Sequence, residues 1–153
     1  EKGLKIEPNN YKAIFQLGNI LLMENNYSEA LNLFDKSVQI KPDFWQAINN
    51  QGLAYFEQNN IDRSIKFFRQ AIAIEDNAEP LLGLASCLRK KDIKLALQLA
   101  KKALSKDPNY VNYDYRKEQL WGEKLQAAAE MLLQHNQIQS DVILAKSKIN
   151  ESS

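Results

Sequence analysis

The chain has 153 residues, of which 44% are hydrophobic and 25% charged, and its 20 basic and 19 acidic side chains leave a net charge of +1. That balance removes any whole-chain electrostatic argument for nucleic acid or an anionic membrane. One Cys and one His exclude an internal disulfide framework, a cysteine zinc cluster and a His-rich metal site, and no uninterrupted apolar run exceeds four residues where a membrane-spanning helix needs about 20.

The sequence starts at Glu1 rather than Met and shows no secretory signal, so it reads as an excised piece or a processed product. Residues 1–10, with Gly3, Leu4, Ile6 and Pro8, read as the tail of a preceding helix. From Tyr11 to about Glu24, the residues Ile14, Phe15, Leu17, Leu21 and Leu22 form a helical stripe. Asn25 and Asn26 punctuate it, since Asn tolerates the left-handed conformation that ends helices. Ser28 stands where an N-cap is expected, before a second stripe of Leu31, Phe34, Val38 and Ile40. Pro42 closes the unit because proline cannot continue a helix.

The series then returns at a spacing of 34. Pro8 falls on Pro42, Ala13 on Ala47, Ile14 on Ile48, Gly18 on Gly52, Asn25-Asn26 on Asn59-Asn60, Phe34 on Phe68 and Ile40 on Ile74. Asp62 takes the slot of Ser28. A third copy is two residues shorter: Ala96, Ala100, Ala103 and Pro108 match Ala30, Phe34, Ser37 and Pro42. The units span 11–44, 45–78 and 79–110, each predicted as two helices, and fixed-period self-similarity of this length marks a repeat array. No alternating strand pattern occurs, so the chain is predicted to be all α. Beyond residue 110 the series stops. Trp121, Leu125, Ala128, Ala129, Leu132 and Leu133 suggest one amphipathic stripe starting near Leu120, with Gly122 as a break or cap. Residues 136–139 suggest a turn, and Val142, Ile143, Leu144 and Ile149 a weaker last helix. Residues 111–153 are therefore expected to cap the array, which needs a polar outer face at its end.

The pattern Ile14-x-x-Leu17-Gly18-x-x-Leu21 followed by Ala30, Phe34, Ser37 and Pro42 resembles the tetratricopeptide repeat (TPR). The second copy reads Ile48, Gln51, Gly52, Tyr55, Ser64, Phe68, Ala71 and Asp76; the third reads Leu82, Ala85, Ser86, Ala96, Ala100, Ala103 and Pro108. Gln51, Asp76 and Ser86 depart from the usual Leu, Pro and Gly. The stretch from Tyr115 to Leu125 is similar to the C-terminal extension of some bacterial, cyanobacterial, TPR proteins. The resemblance implies a right-handed α-solenoid, with small residues where helices approach closely and Phe34 and Phe68 filling the space between units. A single pair cannot bury its own apolar face, so units stack around a continuous core.

No phosphate loop, G-x-S-x-G or H-E-x-x-H motif is present, so neither an enzyme nor a bound cofactor is expected. His135 near a helix end reads as punctuation, and Cys87 as a small buried hydrophobe. The resemblance instead implies protein binding in a concave groove lined by the first helix of each unit. Carried onto this sequence, the groove positions are Lys12, Phe15, Asn19, Leu22 and Met23, then Gln46, Asn49, Asn50, Leu53 and Phe56, then Pro80, Gly83 and Cys87. Asn19 and Asn50 match two asparagines of the carboxylate clamp that binds chaperone tails. Phe15, Pro80 and Leu84 occupy the positions where that clamp needs cations, so a terminal carboxylate would gain no charge-assisted bonds and the chaperone-tail reading is rejected. The expected ligand is an extended or helical partner peptide with apolar anchors.

Residues 89–106 carry Arg89, Lys90, Lys91, Lys94, Lys101, Lys102 and Lys106 against Asp92 alone. This stretch is either a solvated face, the favoured reading, or a patch for nucleic acid or another anion. A regulatory module of a larger enzyme is a third possibility. Leu4 and Ile6, without a preceding unit, predict end-to-end self-association, and the expected location is cytoplasmic.

Overall fold

The computed structural model describes residues 9–152. Three helical hairpins follow one another: α1 (Tyr11–Met23) with α2 (Tyr27–Ile40), α3 (Trp45–Glu57) with α4 (Ile61–Ile74), and α5 (Ala78–Leu88) with α6 (Ile93–Lys106). Each hairpin packs within itself, and α2 on α3 and α4 on α5 join the units. The expectations for Leu4 and Ile6 lie outside the described residues.

The repeated small residues sit where backbones meet. Ala30, Ala96 and Ala100 are fully buried. Ser37 Oγ donates to the Tyr11 carbonyl at 2.7 Å, and Ser64 Oγ to the Gly52 carbonyl at 2.8 Å. A Cβ on Gly18 would stand 2.7 Å from the Phe34 ring, and one on Gly52 2.8 Å from Phe68. Phe68 also lies against Gly83, where a Cβ would come to 2.7 Å, so this ring joins unit two to unit three as expected.

The hairpin turns use Asn25 and Asn59 in the left-handed region, at φ 64° and 65°. The N-caps lie two residues earlier than expected. Asn26 precedes α2 and Asn60 precedes α4, with Asn60 Oδ1 accepting from the Arg63 amide at 3.2 Å. Ser28 and Asp62 fall in the first turns because a left-handed Asn followed by a capping Asn completes the reversal in two residues. Asp92 caps α6 in the same way, through the Leu95 amide.

After Lys106 a 3-10 turn (Pro108–Val111) leads to α7 (Tyr113–Glu118), α8 (Glu123–Leu133), a second 3-10 turn (Asn136–Ile138) and α9 (Gln139–Ser152). The predicted single stripe from Leu120 is interrupted. Leu120 takes φ 73° and ends α7, while Gly122 is the N-cap of α8. On α9, Val142 and Ala145 are buried, whereas Ile143 and Leu144 are exposed. The C-terminal helices go to two places. Helix α9 packs on the first 3-10 turn and α6, covering the end of the stack, while α8 packs against α3 and α5.

Candidate functional site

The first helices of the units, α1, α3 and α5, form the inner layer, and their exposure decides what a partner can reach. On α1, Lys12 is exposed, Asn19 is half-buried and Met23 is 66% exposed. Leu22 is buried, and Phe15 is half-buried with its ring 4.8 Å from Phe44 and 5.9 Å from Phe34. Phe15 is therefore committed to packing rather than to the groove. Gln46 is exposed at the start of α3. The asparagines bond to one another: Asn50 Nδ2 donates to Asn19 Oδ1 at 2.8 Å, and Asn49 Nδ2 donates to Asn50 Oδ1 at 3.1 Å.

The remaining groove positions are closed. Asn49, Leu53, Phe56, Pro80, Gly83 and Cys87 are all buried, Gly83 against Phe68 and the region as a whole beneath α8. Every residue of α5 is buried. A helix flanked by α4 and α6 on one side and α8 on the other has no solvated face left, which explains its run Pro80-Leu81-Leu82-Gly83-Leu84-Ala85.

The chain's own groups hold α8 in place. The Glu57 carboxylate accepts from the backbone amides of Lys124 at 3.1 Å and Leu125 at 3.0 Å, so the last residue of α3 satisfies two open donors at the N-terminus of α8. Gly122 makes room for it, because a Cβ there would lie 2.3 Å from Glu57 Cδ. Trp121 Nε1 donates to Glu79 Oε2 at 3.1 Å. The Arg116 side chain is fully buried: Nε donates to Gln126 Oε1 at 2.7 Å, Nη1 to the Tyr110 carbonyl at 2.7 Å, and Nη2 pairs with Glu130. None of Arg116, Glu57, Glu79 and Gly122 stood out as a site residue in the sequence. The one available signal was the Arg116 to Gly122 stretch itself, with a charge, a tryptophan and a glycine in a segment outside the repeats.

Glu79 is buried, and burial raises its carboxyl to about 7 against the opposing pull of hydrogen bonds from Asn49, Trp121 and Tyr110. The folded chain thus binds this proton more tightly than the unfolded chain does. The resulting stabilisation is full below the unfolded value near 4.5 and is lost as pH rises through about 7. Denaturant unfolding is expected to show roughly 2 kcal/mol less stability at pH 8 than at pH 5.5. Glu79→Gln should flatten that dependence, and a wild-type profile flat over the same window would contradict the assignment.

Helix α8 leaves one part of the inner face open. A cavity of about 640 Å³ lies between Met23 and Tyr27 on one side and Tyr113, Lys117 and Trp121 on the other. The basic stretch is divided among several uses. Lys91 pairs with Asp62 at 2.8 Å, and Lys102 and Lys106 pair with Asp76 at 2.8 and 3.6 Å. Asp76, standing where the repeat usually has proline, thus ties α6 to the preceding unit. His135 Nδ1 accepts from the Gln137 amide at 3.1 Å, which is helix punctuation. Burial pushes the Cys87 thiol up to about 12, so it remains protonated.

A family model described as tetratricopeptide repeat matches residues 15–80 and 49–111, together more than half of the chain. The chain belongs to the tetratricopeptide repeat family. It is a right-handed α-solenoid of TPR units, and in this family such solenoids are protein-interaction modules. No curated protein sequence matches it. Among solved structures it is similar to MamA, at 18% identity and a TM-score of 0.67 over 95% of this chain and 83% of that one. The first TPR of Spaghetti (RPAP3), bound to the HSP90 peptide SRMEEVD, aligns at 17% identity and TM-score 0.64 over 85% of this chain and 98% of that one. The Sgt2 TPR domain from Aspergillus fumigatus gives 16% and 0.61 over 99% and 86%. These likenesses concern the TPR fold. Among the described residues, no helix is long and apolar enough to cross a membrane.

Proposed function

We propose that this TPR chain binds a peptide segment of a partner protein along the part of its inner face that α8 leaves open, between α1 and the α7–α8 elbow. The observation that carries this reading is the Asn50–Asn19 bond, one helical turn from Met23 at the wall of the 640 Å³ cavity. An Asn amide offers both a donor and an acceptor, and here one end of the pair is fixed by a neighbour while Asn19 stays half-exposed. Exposed Met23 and Tyr113 at the cavity wall supply the apolar contacts for anchor side chains.

Spaghetti's first TPR holds an HSP90 peptide, but the corresponding cation positions argue against an acidic chaperone tail here. Phe15 is packed between other rings, and Pro80 and Leu84 are buried. The partner segment is therefore apolar and polar by turns rather than acid-terminated.

A peptide array screened with the chain, followed by fluorescence polarisation, tests the assignment. Asn19→Ala combined with Met23→Ala is expected to weaken the selected peptides about tenfold or more, about 1.4 kcal/mol, at unchanged helicity. Affinity that survives the double substitution intact would sink it.

A further inference from the structure

A second opening lies on the far side of α8, and the peptide site does not use it. Where α8 crosses the C-terminal ends of α3 and α5 there is a cleft of about 420 Å³. Phe56 and Cys87 form its buried floor, Ile61 and Ala128 its half-buried walls, and Met131, 58% exposed, stands at its rim. Arg89, Lys90, Lys91 and Lys124 also line it. The first three begin the basic stretch, which the inner-face site leaves unexplained.

The state of the polar groups at the floor of the cleft bears on what fits. At these helix ends the Phe56 and Leu88 carbonyls accept from the turn amides of Asn59 and of Lys91 and Asp92, and the Glu57 carbonyl accepts from Lys124 Nζ. The Ser86 hydroxyl at the floor donates to the Leu82 carbonyl at 2.8 Å, and Cys87 Sγ faces Ser64 Oγ at 3.5 Å. A peptide entering would bring amide groups that find no partners there, at a cost for each. An alkyl chain brings none.

The charged groups set the sign of the other end. Lys91 is taken by Asp62, and Lys124 Nζ by the Glu57 carbonyl and Asn59 Oδ1. Lys90 is exposed, and Arg89 Nε is buried with no hydrogen-bond partner. Neither cation is paired with a carboxylate among the described residues, so an anion at the mouth of the cleft would meet two uncompensated charges.

We propose that the α3–α5–α8 cleft binds a single-chain fatty carboxylate, its chain on Phe56, Ile61, Cys87 and Ala128 beneath Met131, its carboxylate at Arg89 and Lys90.

The chain's two methionines make the test direct. Met131 reports on the cleft, and Met23, on α1, serves as the internal control. The 153-residue chain labelled with 13C at the methionine methyls is titrated with sodium octanoate and sodium decanoate below their aggregation concentrations. The Met131 signal is expected to shift and saturate while Met23 stays still. Affinity should rise about fourfold for each added methylene. Arg89→Glu with Lys90→Glu should weaken decanoate about tenfold or more, and Ala128→Phe, which fills the cleft without touching the cations, should abolish the Met131 shift. Both variants must retain the Met23 signal and the helicity of the parent. Four results would each overturn the proposal: the two methionines shifting together, no dependence on chain length, equal response to decyltrimethylammonium, or saturation of Met131 by an acidic peptide bearing one large apolar side chain but not by decanoate.

Discussion

Arg116→Ala is expected to lower the unfolding free energy by about 3–5 kcal/mol, the range for stripping one partner from a buried ionic network. The guanidinium, itself on α7, serves three acceptors on two other segments: Gln126 and Glu130 on α8, and the Tyr110 carbonyl in the 3-10 turn. Removal leaves Gln126 Oε1 and the Tyr110 carbonyl without their donor, and opens a void in a fully enclosed position. Lysine should not rescue it, since one ammonium cannot reach three acceptors in the fork geometry that arginine supplies. Glu130→Gln is the internal comparison. Its side chain is 43% exposed, so water takes over much of the lost bond, and a cost nearer 1 kcal/mol is expected. Denaturant unfolding measures the total, and amide exchange along α8 locates it. Protection of α8 unchanged in Arg116→Ala would show that the helix is held by other means.

The second large effect belongs to the repeat stack. Phe68→Ala is expected to cost about 3–5 kcal/mol, because this fully buried ring touches Gly52 of its own unit and Gly83 of the next. In a stack whose stability is a sum of units and interfaces, loss of this ring weakens one unit and one junction together. The unfolding transition should broaden or divide as well as move. The neighbouring residue provides the contrast. Phe67 is half-buried and stacks on Tyr55, with ring centroids 5.3 Å apart, so Phe67→Ala should cost less than half as much. Equal losses at the two positions would mean that the repeat register is wrong.

The repeat was legible because its determinants are local. A small residue facing a ring 16 positions later, as with Gly18 and Phe34 or Gly52 and Phe68, is a property of one hairpin. The hairpin turns were legible for the same reason, and the displaced caps at Asn26 and Asn60 were a matter of two residues. Asn19 and Asn50 were singled out through the family resemblance, but the hydrogen bond between them was not, since they lie 31 residues apart and the period of 34 does not relate them. What could not be read is the state of the groove. Leu53, Phe56 and Cys87 occupy groove positions by register, yet α8 buries them, and Phe15 and Gly83 are spent on the junctions between units. Nothing in the spacing of Glu57 says that it will cap a helix starting more than sixty residues later.

By itself, then, the sequence determined the helical hairpins, their period and their stacking register, all products of contacts within about one repeat length. Tertiary structure alone decided where the C-terminal helices go: α9 to the end of the stack, α8 across the inner face. The physical reason is that the placement of α8 rests on unique long-range partners, Glu57 on its N-terminal amides, Glu79 on Trp121, and Arg116 bridging α7 to α8. A period cannot encode a contact that occurs once. That placement divides a continuous groove into an open segment beside α1 and a separate cleft behind α8.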